Sequence, residues 1–270
     1  MGSESRTISS DVLGARFRAW RSRRHPALIP YLTAGYPARD QTQPLLDTMV
    51  ESGSDIIELG VPFSDPVADG PTIQRSSQRS LEQGVTLSWT LNALRDFRTR
   101  HDTPVVIFTY LNPVLSLGLE VFVAAVREAG AEGVLLTDLP AGADEEIEAA
   151  FATSGVSLIR LIAPTTSPQR ALTIARRASG FLYYVARMGV TGATASLREA
   201  LVTEVQALRT VTDVPIAVGF GISTPSQAAA VAGAADGVVV GSALIDAIDR
   251  GGVSGAGSFL RSLRRAMDGE

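Results

Sequence analysis

Eight short apolar runs rich in β-branched residues recur along the chain, and helical patterns separate them. They are ALIPYLTAG (27–35), SDIIELGVP (54–62), PVVIFTYL (104–111), GVLLTDL (133–139), VSLIRLIAP (156–164), GFLYYVAR (180–187), VPIAVGFG (214–221) and GVVVGSA (237–243). Each run is continuously apolar, as strands buried on both faces of a parallel sheet are. The intervening segments carry apolar residues at helical spacing. Examples are QTQPLLDTMVESG (41–53), TLSWTLNALRDFRTRH (86–101), LEVFVAAVREAG (119–130) and LREALVTEVQALRTV (197–211). Several start at Ser or Thr and several stop at Gly, which suit the two ends of a helix. Eight β-α units in succession predict an α/β chain folded as a (β/α)8 barrel. A doubly wound open sheet fits less well, because no Gly-rich dinucleotide fingerprint follows the first strand.

No linker or low-complexity stretch breaks the pattern, so one domain over residues 1–270 is expected, with its barrel core at about 27–246. SDVLGARFRAW (10–20) predicts an extra helix covering the N-terminal mouth of the barrel. RGGVSGAGS (250–258) predicts a flexible turn ahead of a last helix, FLRSLRRAM.

Composition narrows the chemistry. A net charge of −4 gives no support for nucleic-acid or membrane binding. There is no cysteine, which excludes disulfides and thiolate chemistry, and only two histidines, His25 and His101. No metal motif is expected. The N-terminus has no apolar signal region and no run is long enough to span a bilayer, so a cytoplasmic location is expected.

In a (β/α)8 barrel the reactive groups sit at the C-terminal ends of the strands. Glu58 lies at the end of the second apolar run, in ELGVPFSDPVADGP. A carboxyl there is desolvated and its pKa rises toward the range useful for proton transfer. Asp65 and Asp69 follow in a loop that three prolines keep from forming a long helix. Asp69 reads equally as a second catalytic acid or as a cap for the helix PTIQRSSQRSLEQG. Asp138 ends the fourth run and either orients a neighbouring loop or caps the next helix. Tyr31, Thr33, Tyr110 and Asn112 also end strands; each alone is more often packing than ligand. Late in the chain, GVTG (189–192), GFG (219–221) and the pair Gly241–Ser242 follow strands six, seven and eight. Backbone N–H groups in such turns approach anions closely, and this is the usual phosphate position of the fold. The residues by themselves therefore predict a barrel enzyme that uses carboxylates on a small phosphate ester. No lysine ends a strand, which disfavours a Schiff-base aldolase.

The strings LIPYLTAGYP, ELGVPFSDPVADGPTIQRSSQRSL, TYLNPV, LLTDLP, APTTS, GVTG, VGFGIS and GVVVGSALI resemble, in order, the tryptophan synthase alpha chain family. The resemblance covers roughly residues 27 to 246. It implies a lyase that cleaves indole-3-glycerol phosphate to indole and glyceraldehyde 3-phosphate. It places the catalytic carboxylates at Glu58 and Asp69. Substrate positions fall on Tyr31, Tyr110, Tyr183, Thr191, Gly192, Gly221, Gly241 and Ser242, the last four on phosphate. It also implies a partner, a beta chain carrying pyridoxal phosphate, in an α2β2 assembly, with no cofactor on this chain. The loop around Asp65, with TYLNPV, is expected on the beta-facing side. Ala186 departs from many relatives, which carry serine there. Stand-alone release of indole is the alternative; a barrel that only activates beta, or another phosphate-binding isomerase, fits the intact Glu58 and Asp69 less well.

Overall fold

The structure is a computed structural model that describes residues 11–186, 194–219 and 221–270. Eight parallel strands close on themselves in chain order: β1 (Ala27–Thr33), β2 (Ile57–Gly60), β3 (Val105–Thr109), β4 (Gly133–Leu136), β5 (Ser157–Ile162), β6 (Leu182–Val185), β7 (Ile216–Gly219) and β8 (Gly237–Val240). β1 pairs with β8 through Ala27–Gly237 and its neighbours, so no edge strand is left open. The expected barrel and its eight strands form, each shorter than its apolar run because the run also supplies the turn.

Helices α1 (Val12–Ser22), α2 (Thr42–Glu51), α3 (Pro71–Glu82) and α4 (Leu87–Arg98) open the chain. Next come α5 (Leu111–Leu117), α6 (Leu119–Glu128), α7 (Glu145–Ser154) and α8 (Pro168–Arg176). The last three are α9 (Thr194–Arg209), α10 (Pro225–Ala232) and α11 (Ser242–Asp268). Their apolar faces pack on the outside of the barrel; Leu45, Leu46 and Met49 of α2 are buried there, in one apolar cluster with Leu28 and Leu32 of β1. A second, inner cluster fills the barrel. Ile29, Ile56, Val106, Leu135, Ile159 and Phe181 belong to it, and Leu13 and Phe17 of α1 close it from below. Side chains alternate along a strand, so residues two positions apart share a face. The residue two places beyond each inner apolar side chain is therefore carried up to the C-terminal mouth.

The expected N-terminal helix does cover the lower mouth. Asp11 caps it by accepting from the Gly14 N–H at 3.0 Å. The same carboxylate accepts from Ser157 Oγ at 3.0 Å and from the Gly180 N–H at 3.1 Å, which fastens α1 to the starts of β5 and β6.

Two expectations need correction. The segment 250–258 is not a turn but part of α11, which is broken only at Gly252 (φ 57°, ψ −145°). That left-handed φ suits glycine alone among common residues. Beyond the break the small residues allow close contact with α2: a Cβ on Gly257 would lie 2.8 Å from Thr48 Cγ2. An unexpected short helix, α5, follows β3, where TYLNPV reads as the end of a strand and its loop.

Phe17 is almost wholly buried, with its ring 5.3 Å from that of Phe181. Phe17→Ala is expected to cost about 3–5 kcal/mol of stability, read as a lowered urea midpoint; an unchanged midpoint would show that α1 does not seal the barrel.

Candidate active site

Glu58 lies two residues after Ile56 and pairs in register with Tyr31 of β1. The two side chains therefore share the layer directly above the apolar interior. Phe108, Thr137, Leu161, Tyr183 and Gly219 stand in that layer by the same two-residue step from Val106, Leu135, Ile159, Phe181 and Ala217. Glu58 is 1% exposed, and its Oε1 has no hydrogen-bond partner among the described residues. Burial alone lifts its pKa from the ordinary carboxyl value of 4.5 to about 8. It is thus a neutral acid at physiological pH, holding a proton that it can donate. Among the described residues no basic side chain pairs with it.

Asp69 sits in the loop between β2 and α3, half-buried, on the same cavity. Burial raises its pKa to about 6, against the hydrogen bond from the Tyr110 hydroxyl, which works the other way. Asp69 is not a helix cap: Gly70 is the N-cap of α3, and no side chain bonds to that end. The loop is held by its own turn, in which the Asp69 N–H donates to Pro66 O at 3.0 Å, and by Gln74 Nε2, which donates to Asp69 O at 2.9 Å.

The other expected residues separate by position. Tyr31 and Tyr183 line the cavity, and both are buried deeply enough to keep their phenols protonated far above the usual range. Tyr110 does not line it. Its hydroxyl stands behind Asp69, accepts from the Ala68 N–H at 3.1 Å, and its ring stacks on Phe63 at 5.0 Å. Asp138 does not cap the helix that follows it, since Asp144 caps α7; instead its Oδ1 accepts from the Leu111 N–H at 2.7 Å, at the first residue of α5. Thr33 is buried behind Tyr31, and Asn112 is exposed. Thr191 and Gly192 lie outside the described residues, as do Arg187 and Met188; Ala186 is buried at the end of β6.

Gly221, Gly241 and Ser242 also line the cavity, with Ile222, Ser223 and Ala243. The two helices that begin there differ. Thr224 and Gln227 close the N-terminus of α10 with a capping box. The N-terminus of α11 has no side-chain cap, so its first N–H groups and the positive end of its dipole face the cavity. Among the described residues the carboxyl groups on the wall are Glu58, Asp69 and Asp246, and no basic side chain lines it. The backbone N–H groups at this helix end can hold an anion. The cavity encloses about 560 Å³, in the range of small-molecule sites. Its apolar wall, formed by Ile73, Phe108, Leu161, Val185 and Val239, escaped the sequence reading. The two-residue step from the interior apolar residues was the signal that could have found Phe108 and Leu161.

The burial of Glu58 has a stability consequence. Folding holds its proton up to about pH 8, whereas an unfolded carboxyl loses it near 4.5. Stability therefore falls as pH rises between those values and levels off above them. Glu58→Gln is expected to gain on the parent across that window, by on the order of a few kcal/mol at its top, in urea denaturation at the two ends. A constant difference between parent and variant would rule out the raised pKa.

Comparison with known proteins gives one answer. A model of the tryptophan synthase alpha chain family matches residues 17–262. The chain is 47% identical to the tryptophan synthase alpha chain of Geobacter sulfurreducens over 89% of its own length and 93% of that protein. It is 44% identical to that of an Azoarcus species, covering 93% and 95%. Its fold is similar to the crystal structure of tryptophan synthase subunit alpha from Legionella pneumophila, with a TM-score of 0.88, 36% identity and coverage of 96% and 98%. A chain of Mycobacterium tuberculosis tryptophan synthase aligns with a TM-score of 0.87 at 36% identity, covering 95% of this chain and 98% of that one. On this evidence the chain belongs to the tryptophan synthase alpha chain family.

Proposed function

We propose that the chain is a carbon–carbon lyase of tryptophan biosynthesis that cleaves indole-3-glycerol phosphate to indole and glyceraldehyde 3-phosphate. The observation that carries this reading is the pairing of two unlike acids in one cavity: Glu58, protonated at neutral pH, and Asp69, which ionises near pH 6. Glu58 gives its proton to indole C3, and the ring becomes an indolenine with positive charge at nitrogen. Ionised Asp69 accepts the indole N–H and stabilises that charge. The C3–C1′ bond then breaks, its electrons restore the indole, and the C1′ hydroxyl loses its proton as the aldehyde carbonyl forms. Glu58, now a carboxylate, takes up that proton, so the acid is regenerated. The chain contains no lysine, so this route needs no Schiff base.

Tyr31, Tyr183 and the apolar wall suit the flat indole, while Gly221, Gly241 and Ser242 at the uncapped end of α11 suit the phosphate. Tyr110 serves the site by holding Asp69. By family resemblance, Thr191 is proposed to close toward Asp69 and Gly192 to bind the phosphate. The barrel is taken as one domain spanning residues 1–270. The family's biosynthetic role supports a cytoplasmic location; separately, no helix among the described residues is long and apolar enough to cross a membrane.

The partner is a beta chain carrying pyridoxal phosphate, in an α2β2 assembly, and this chain carries no cofactor of its own. Four exposed apolar side chains support the docking face: Val67 in the loop after β2, Leu115 and Leu117 on α5, and Val121 on α6. The Phe63–Tyr110 stack and the Ala68–Tyr110 bond tie the loop that carries Asp69 to the N-cap of α5, so contact with a partner on this face is coupled to Asp69 through Tyr110.

Glu58→Gln is expected to lower kcat for indole-3-glycerol phosphate cleavage at least about 100-fold, measured by release of indole; a variant that keeps more than about a tenth of the activity sinks the mechanism. The pH profile of kcat/KM should be a bell. It falls below about 6 as Asp69 takes a proton and above about 8 as Glu58 loses its own. Addition of the beta chain should accelerate cleavage; fast turnover that beta leaves unchanged would favour a stand-alone lyase.

A further inference from the structure

Three hydroxyl groups run outward from the cavity wall in a line. Tyr31 Oη lies 3.1 Å from Thr33 Oγ1, and Thr33 Oγ1 lies 2.6 Å from Ser76 Oγ on α3. Ser76 Oγ in turn donates to the backbone carbonyl of Ile73 at 2.8 Å. Thr33 and Ser76 are wholly buried, so no water competes for these bonds. A hydroxyl has one proton to give. The carbonyl at the far end has none, so Ser76 donates to it. Ser76 can then only accept from Thr33, and Thr33 can only accept from Tyr31. The chain has one polarity, and it draws the phenolic proton away from the cavity.

We propose that Thr33 and Ser76 are positioning residues for the lyase site, because their hydroxyls hold the Tyr31 oxygen as a hydrogen-bond acceptor on the cavity wall. The phenol has no other resting place. Gly60 stands opposite Thr33 in the β1–β2 register, and a Cβ there would lie 2.2 Å from Tyr31 Oη. The phenol oxygen occupies the room that a side chain would take. The Phe108 ring meets the Tyr31 ring edge-on at 5.1 Å and fixes its plane. The lone pairs of Tyr31 therefore point to one place. On the reading that the substrate is indole-3-glycerol phosphate, on which this inference rests, an acceptor there suits a hydroxyl of the glycerol arm. It orients that hydroxyl beside Glu58 without offering a proton that would compete with the acid.

The test is a set of kinetic cycles on the full chain, assayed by indole release. Tyr31→Phe and Thr33→Val are each expected to lower kcat/KM about fivefold to tenfold, the loss of one buried hydrogen bond. Thr33→Ser, which keeps the hydroxyl, should stay within about twofold of the parent. Ser76→Ala should also lower activity, since Thr33 is then free to donate to Tyr31 and reverse the chain. In the Tyr31→Phe background, Thr33→Val and Ser76→Ala should cost nothing further. Packing roles would cost the same factor with or without the phenol, and that result overturns the inference alone. A Thr33→Ser variant as impaired as Thr33→Val overturns it too. A parent that does not cleave the substrate overturns the reaction and this inference together.

Discussion

A carboxyl group buried in an apolar barrel, with one oxygen unbonded, is the costly feature around which the site is arranged. Glu58 is tolerated there because it stays neutral, and it stays neutral because burial disfavours its charged form and no basic side chain among the described residues pairs with it. The barrel supplies that environment by geometry. Parallel strands with two-residue alternation put an apolar layer below Glu58, and Tyr31, Tyr183 and Phe108 surround it at its own level. The same burial that destabilises the folded chain at high pH makes the side chain an acid at neutral pH.

The second acid is tuned differently because it stands on a loop. Asp69 is half-buried and bonded to Tyr110, so its pKa rises less than that of Glu58. The two carboxyl groups lie eleven positions apart in sequence. Their environments separate their protonation states, which suits the proposed division of labour between proton donor and charge stabiliser. The third acid on the wall, Asp246, pairs with Arg75 at 3.6 Å beside the end of α11. Its charge is partly offset where an anion would bind.

The loop from Val61 to Gly70 links these levels. It begins directly after β2, three residues beyond Glu58, stacks Phe63 on Tyr110, turns at Pro66, exposes Val67, places Asp69, and ends at the N-cap of α3. α3 in turn holds Ser76 against Thr33. One stretch of chain therefore carries an exposed apolar side chain, the proposed catalytic acid Asp69 and the anchor of the cavity wall.

The fold was legible in the chain because continuous apolar runs at regular spacing have few other solutions than a closed parallel barrel. Glu58 was legible as well, since an acid at the end of such a run has to face the mouth. α5 and the helical course of residues 250–258 were not. Gly and Pro there signal turns locally, and only packing of α11 on α2 makes a helix with one break at Gly252 the better structure. The sequence by itself determined which residue types stand at the ends of which strands. Only the tertiary structure decided that Tyr110 stands behind Asp69, that α11 rather than α10 presents an open N-terminus, and that Tyr31, Thr33 and Ser76 share one hydrogen-bond chain. Those relations join segments far apart along the chain, and burial and hydrogen-bond direction are properties of the assembled neighbourhood, not of any local stretch.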